Sequence, residues 1–415
     1  MNATRGETLA LPEAMIWWGR QELGVNVWEA ALERTRHAYL LFDHVVVSFS
    51  GGKDSTATLN VALEVARELD RLPLRVVFFD EECISHLTEE YVRRVAQLDE
   101  IDLEWYCLPV EHRNACSAEE PFWWPWAPEA RDLWVRDLPP EAITDLDGFP
   151  MEPPSARYSV PSAFEKLISP HAVYGNTCAL MGIRADESMT RRRAVSNKRL
   201  DNYVIPTVTP NYSKVYPVYD WSAADVWTAP KQMGWDYNRS YDLLAMHGFS
   251  PSQQRIAPPF GEQPMGDLHQ WSACFPELWA RMVNRVPGAA CGARYARTEL
   301  YSYGEAPAKP PGMNWQDFVH RIVADQQDPA VRRAIAHKIR TMAKRHYGKT
   351  ADPIAGQARH PYTGMSWEYL ATIAARGDLK DRRMIMEVAG SKLLNDAGWA
   401  AYRADVARCI AQGEI

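Results

Sequence analysis

Six consecutive residues, Ser50-Gly51-Gly52-Lys53-Asp54-Ser55, carry the types and spacing needed to hold an anion. They follow the apolar run Val45-Val46-Val47-Ser48-Phe49 and precede Thr56 to Leu63, which patterns as a helix. A strand, a glycine-rich turn and a helix N-terminus in that order form a phosphate seat, because backbone N–H groups and the helix dipole converge on one concavity. Two glycines allow a tight turn and close approach to an anion. Ser50 and Ser55 offer hydroxyls, and Lys53 a full charge. The pattern is not a Walker A loop, which needs four residues between its glycines.

Two further stretches carry chemistry. Ala179 to Ile183 reads as a strand ending in Arg184-Ala185-Asp186-Glu187-Ser188, followed by Arg191-Arg192-Arg193. Arginine suits anionic groups because its planar fork donates parallel hydrogen bonds. Three adjacent arginines in a chain of net charge −7 call for an anionic partner or stand as a solvated charge run. Tyr216-Pro217-Val218-Tyr219-Asp220-Trp221-Ser222-Ala223-Ala224-Asp225-Val226-Trp227 reads as a helix start, with Ser222 as N-cap and Asp225 completing an approximate capping box.

The elements that must position these residues alternate. A helix is expected from about Asn26 to Phe42, and a second from the loop to about Leu69, broken by Leu72-Pro73. Leu74 to Phe79 is a buried strand ending in Asp80-Glu81-Glu82. A helix then runs from about Glu89 to Leu98 with Thr88 as N-cap, and Ile101 to Pro109 is a third strand. Alternation of this kind predicts an α/β fold with a doubly wound parallel sheet, whose ligands sit at the carboxyl ends of the strands. Asp80 lies at such an end, where a carboxylate could face ribose hydroxyls or a magnesium ion. Glu81 and Glu82 read equally well as solvated charges.

Together the three stretches resemble the PP-loop ATP pyrophosphatase superfamily. Ser50 to Ser55 is similar to its Ser-Gly-Gly-X-Asp-Ser signature. Gly182-Ile183-Arg184-Ala185-Asp186-Glu187-Ser188 and the segment Pro217 to Trp227 are similar to motifs of the phosphoadenosine phosphosulfate (PAPS) reductase-like branch. The resemblance covers roughly Val45 to Trp227 and implies an adenine nucleotide alpha hydrolase-like fold. It implies ATP, or PAPS or a related adenine nucleotide, with Mg2+, on Ser50, Gly51, Gly52, Lys53, Asp54, Ser55, Asp80, Gly182, Arg184, Glu187, Arg191 and Arg192. Lys53, Asp54 and Arg184 would act on the reacting phosphate. Ser188 would help Glu187 shape the loop.

The implied reaction is adenylyl transfer with loss of pyrophosphate, serving sulfur transfer or nucleic-acid modification. The alternatives are a sulfonucleotide reductase, a sulfate adenylyltransferase-like enzyme, and a regulatory protein acting through a partner. Reductases of this branch carry a C-terminal Glu-Cys-Gly-X-His motif that is missing here, the nearest fragment being Ala290-Cys291-Gly292-Ala293-Arg294. The long C-terminal part resembles that of PAPS-reductase-like proteins of phages and mobile elements.

Composition bounds the rest. The chain has 415 residues, seven scattered cysteines and 16 tryptophans. No Cys-X-X-Cys pair marks a metal site, so no metal ligands are assigned. No run of about 20 apolar residues would span a membrane, and Met1 to Glu22 lacks a signal-peptide centre, so a cytoplasmic location is expected. Three regions are expected. Residues 1–43 form a helical segment and 44–230 the nucleotide domain, which carries an irregular Trp- and Pro-rich insertion at 117–161. Residues 231–415 are mostly helical. The insertion, with Phe122-Trp123-Trp124-Pro125-Trp126, reads as an aromatic mini-core or a cover for the nucleotide. Near the C-terminus, Val331, Ile335, Ile339 and Met342 form one apolar stripe. Arg332, Arg333, Lys338, Arg340, Lys344, Arg345 and Lys349 occupy the other faces, a surface for tRNA or DNA or simply a solvated face. Gly377 to Arg383 adds a second basic-ended turn.

Overall fold

The computed structural model describes residues 24–117, 119–149, 151, 158–187, 189–196, 201–251, 253–261, 268–295, 307–376 and 396–414. The basic turn expected at Gly377 to Arg383, Ser188 and the Arg193 side chain lie outside the described residues. The chain divides into two compact units, 1–290 and 291–415.

Unit 1 is built on β1 (His44–Phe49), β2 (Leu74–Phe79), β3 (Ile101–Tyr106), β6 (Thr177–Met181), β7 (Val204–Pro206) and β8 (Tyr212–Val215). Their order across the sheet is β3-β2-β1-β6-β8-β7, parallel throughout except for β7 against β8. A two-stranded ribbon, β4 (His112–Arg113) and β5 (Phe122–Trp123), stands beside it. The fold is thus an α/β doubly wound, mostly parallel sheet. Chain order reverses direction at β1, whose neighbours are β2 on one side and β6 on the other.

Period-two alternation sorts the strand side chains between two cores. Val47, Phe49, Val76, Phe78, Cys178 and Leu180 face one side. They meet α1 (Val27–Leu41), α2 (Lys53–Glu68) and α3 (His86–Ala96) through Ala38, Leu59, Leu63, Tyr91 and Val92. Val46, Val77 and Ala179 face the other and meet Phe164, Leu167 and Ile168 of α4 (Val160–Ala172). A third cluster joins α1 and α2 to α6 (Ala223–Met233) through Ala31, Val61, Trp221 and Val226, α5 being Met189–Ser196.

Several expected boundaries move. The third strand ends at Tyr106 rather than Pro109. Helix α3 starts three residues early, because Ser85 and not Thr88 accepts the N–H bond at its head. Ser222 and Asp225 do form a reciprocal capping box on α6. The insertion is no separate mini-core. Trp126 is buried in the sheet's own core, Ile143 bridges to Tyr106, and Phe149 packs on the opposite face. Nor does the compact unit stop near residue 230, since it runs on through α7 (Ser240–Met246), α8 (Leu268–Cys274) and α9 (Pro276–Arg285).

Unit 2 is helical. Trp315–Ala324 (α10), Pro329–Tyr347 (α11) and Trp367–Arg376 (α12) pack through Phe318, Val319, Ile335, Ile339, Met342 and Leu370. Asp396–Ala411 (α13) is its last helix, carrying buried Trp399 and Tyr402. The expected apolar stripe on α11 is buried. Lys338, expected among the outward basic residues, is buried too, while Arg332, Arg333, Arg340, Lys344, Arg345 and Lys349 are exposed.

Candidate functional site: an anion seat at the switch point

The Ser50–Ser55 loop sits at the carboxyl end of β1, the point where strand order reverses, which is where doubly wound sheets take their ligands. Gly51 turns the chain at φ +69°, in the left-handed region that side chains avoid. Gly52 is the N-cap of α2 and supplies no side-chain cap. The first-turn N–H groups of Asp54 and Ser55 therefore have no acceptor within their helix. The loop is braced from inside. Ser55 Oγ accepts the Ser50 N–H at 3.2 Å, lies 3.0 Å from Ser50 Oγ, and donates to the Gly52 carbonyl at 3.0 Å.

Gly182 explains how β6 is seated beside this turn. A Cβ at that position would lie 2.5 Å from the Asp54 carbonyl carbon and oxygen and 2.6 Å from the Ser55 nitrogen. Only glycine lets the strand end pass this close to the helix head. The close passage brings Arg184 to the loop. Arg184 is buried, pairs through Nε with Asp54 Oδ1, and donates from Nη1 to the Trp221 carbonyl at 3.3 Å. Glu187 accepts the Arg184 N–H at 3.1 Å and pairs with Arg191. Arg191 and Arg192 are half-buried at the start of α5.

Lys53 lies largely within the site. Its Nζ donates to the Gln254 carbonyl at 3.2 Å, stands 3.9 Å from Asp54 Oδ2, and lies 5.7 Å and 5.5 Å from the ring centres of Trp227 and Tyr241. Burial pulls the Lys53 ammonium below its ordinary pKa, against the attraction of Asp54. Burial likewise raises the Asp54 carboxyl, against Lys53 and Arg184. The two side chains keep 14% and 16% of their surface exposed, so both charges are only partly hydrated.

Asp80 does not take the place expected of it. Its carboxylate is completely enclosed and pairs with Arg136. Its oxygens also accept from Trp105 Nε1 at 2.9 Å and from the Glu82 N–H at 2.9 Å. Glu82, for which a solvated charge is one of two readings, is equally enclosed. It pairs with Arg285 Nε at 2.8 Å and accepts the Trp126 and Val135 N–H groups at 2.7 Å and 3.2 Å. These two carboxylates anchor the insertion and α9 and have no capacity left for a ribose. Of the expected site residues, the structure brings Ser50 to Ser55, Gly182, Arg184, Glu187 and Arg191 into one network and leaves Asp80 in another.

The sequence reading missed a second group altogether. Tyr241 Oη accepts the Lys53 N–H at 2.9 Å, and Asn238 Nδ2 donates to the Gly51 carbonyl at 3.1 Å and to Thr88 Oγ1 at 3.0 Å. With Gln254 they come from positions nearly 190 or more residues beyond the loop, with no motif of their own to announce them. Among the described residues no three His, Cys, Asp or Glu side chains converge as a metal site. None of the described helices is long and apolar enough to cross a membrane.

Among solved structures, the chain is similar to PAPS reductase from Candida auris in its phosphate complex. That likeness has 16% identity, 52% of this chain, 84% of that chain and a TM-score of 0.29. It is also similar to FMN adenylyltransferase from Candida glabrata with FAD and inorganic pyrophosphate. Here identity is 13%, over 55% of this chain and 64% of that one, with a TM-score of 0.32. The order and direction of the strands, rather than these likenesses, define the fold. A family model described as a domain of unknown function, DUF3440, matches residues 248–352, which include Arg255 and the basic helix α11. The uncharacterized protein YbdN of Escherichia coli (strain K12) is 33% identical over 310 residues, 71% of this chain and 74% of that protein. With that identity over most of both sequences, the chain belongs to the family of YbdN.

Proposed function

We propose that this protein is an enzyme that binds ATP, or a related adenine nucleotide, on the Ser50–Ser55 loop and transfers its adenylyl group with release of pyrophosphate. One observation carries the reading. A helix start whose N-cap is glycine, with partly buried Lys53 and buried Arg184 against it, stands at the sheet's switch point, an arrangement that suits a polyphosphate. The N–H groups of Asp54 and Ser55 would hold the phosphates. Lys53 and Arg184 would neutralise the charge that builds up as the acceptor attacks the α-phosphate, and Asp54 would hold both cations in place. Asp54 and Glu187 are the carboxylates beside the loop, and arginines already engage both, so Mg2+ would be held chiefly by phosphate oxygens.

A PAPS-type reduction fits less well. It needs a nucleophilic thiolate, yet every cysteine except Cys291 is buried, and burial raises Cys83, Cys107, Cys178, Cys274 and Cys409. The exposed basic residues of α11 suit a nucleic-acid acceptor, tRNA or DNA, through contacts to phosphates. The test is to incubate the protein with ATP and Mg2+, with and without tRNA or DNA, and separate the products. AMP and pyrophosphate that vanish in Lys53→Ala support the reading. ATP binding with no pyrophosphate under any condition would refute it, in favour of a regulator acting through a partner.

A further inference from the structure

Beside the anion seat lies a second cavity, of about 550 Å³, which the adenylyl-transfer reading does not use. Its wall includes Glu81, His112, Trp123, Ala257, Phe260 and Arg255. It opens on the same sheet edge as the loop. Strands β1 and β2 are neighbours with Phe49 opposite Phe78, so Ser50 and Glu81 follow adjacent strand ends. On its other side, Arg255 directly follows Gln254, the residue whose carbonyl holds Lys53 Nζ. A volume of this size is typical of a small-molecule site.

The Glu81 carboxylate in the wall is short of hydrogen-bond donors. Glu81 has the His112 ring at 3.7 Å, beyond hydrogen-bond distance, and no donor among the described residues. Burial, with Asp80 alongside, pushes its carboxyl up to about 7. Burial also holds His112 down to about 4, so the imidazole is neutral at neutral pH. Oε2 of Glu111 and Nε2 of His112 also find no partner among the described residues, but both atoms are sealed away from the open cavity. The Glu81 side chain keeps 26% of its surface exposed, so its carboxylate takes hydrogen bonds from whatever occupies the cavity. The rest of the wall combines Arg113, Arg255 and Ser159 with aromatic and apolar side chains. Trp123 and Phe260 meet edge to face at 5.6 Å, and His112 leans on Trp123 at 5.7 Å.

We infer that this cavity seats the acceptor substrate, a ligand presenting N–H donors to Glu81 from a flat apolar or aromatic body packed against Trp123 and Phe260. The role as acceptor seat rests on the nucleotide reading above, whereas the binding chemistry does not. Benzamidine, a flat aromatic amidine, is a suitable probe, with benzoate as the control of opposite charge. Binding is followed by calorimetry and ligand-observed NMR, with ATP titrated separately and together. Benzamidine should bind, benzoate should not, and ATP should leave benzamidine affinity unchanged. Glu81→Gln should weaken benzamidine at least tenfold with ATP affinity unaltered. Ala257→Trp, a change at an exposed wall position, should do the same by filling the mouth. Benzamidine affinity unchanged in both variants, or no binding at all, would overturn the inference. Competition between ATP and benzamidine would also overturn it, by making the cavity part of the nucleotide's own seat. Benzamidine binding without any ATP binding would remove the acceptor role through failure of the nucleotide reading, leaving the cavity's chemistry standing.

Discussion

Replacing Gly182 by alanine tests how β6 is seated against the head of α2. The new methyl would stand 2.5 Å from the Asp54 carbonyl group and 2.6 Å from the Ser55 nitrogen, all backbone atoms that no rotamer change can move. Ordinary contact needs about 3.5 Å, so strand and helix must part by about 1 Å. Overpacking of this kind costs about 1–3 kcal/mol, which lowers Tm by roughly 2–10 °C in a domain of this size. The same shift carries away the Ser55 N–H, one of the donors assigned to the phosphates. A hydrogen bond to a charged group is worth about 1.5–3 kcal/mol, so ATP should bind roughly ten- to a hundredfold more weakly. The assay pairs a thermal melt with calorimetric titration of a non-hydrolysable ATP analogue. Gly234→Ala is the control. Its φ of +70° makes alanine strained, but a Cβ there meets nothing within 4 Å, so stability should fall slightly and affinity should hold. Wild-type Tm and affinity in Gly182→Ala would refute the seating argument. Lost stability with full affinity would refute the placing of phosphates at the α2 head.

Arg285→Met should destabilise unit 1 by about 3–5 kcal/mol in urea denaturation, because it strands the fully enclosed Glu82 carboxylate. Adding Glu82→Gln should recover part of the loss, and a wild-type midpoint in the single variant would count against the anchor. Arg184→Lys keeps the charge but cannot reach both Asp54 and the Trp221 carbonyl as the fork does, so pyrophosphate release should fall at least tenfold. Unaltered turnover would remove Arg184 from the site. In unit 2, burial holds His346 and His360 below their ordinary value of 6.5, which favours the neutral rings in the folded state. Their contribution is complete above about pH 6.5 and is lost as pH falls from there toward the depressed folded values. The urea midpoint of unit 2 should therefore drop between pH 7.5 and 5, less steeply in His346→Gln, and a flat profile in the wild type would exclude the mechanism.

The sequence by itself determined the sheet and the glycine-rich turn after β1, because both depend on local information. Short apolar runs rich in β-branched and aromatic residues, such as Val45–Phe49 and Leu74–Phe79, bounded by turn residues, favour strands buried on both faces. A glycine pair before a helix has one natural geometry, and Ser222 with Asp225 specifies its own cap. Only the tertiary structure decided which charges serve the site. Asp80 and Glu82 stand beside Glu81 in the chain and look alike there. Arg136, Arg285 and the indoles of Trp105 and Trp126 reach the first two from distant elements and consume them, whereas Glu81 receives no such partner among the described residues. The same holds for Tyr241, Asn238 and Gln254, which brace the loop from far along the chain. A hydrogen bond between residues so far apart leaves no periodicity or spacing in the sequence. It exists because the packing of α7 and the loop after it on the sheet edge delivers those atoms there.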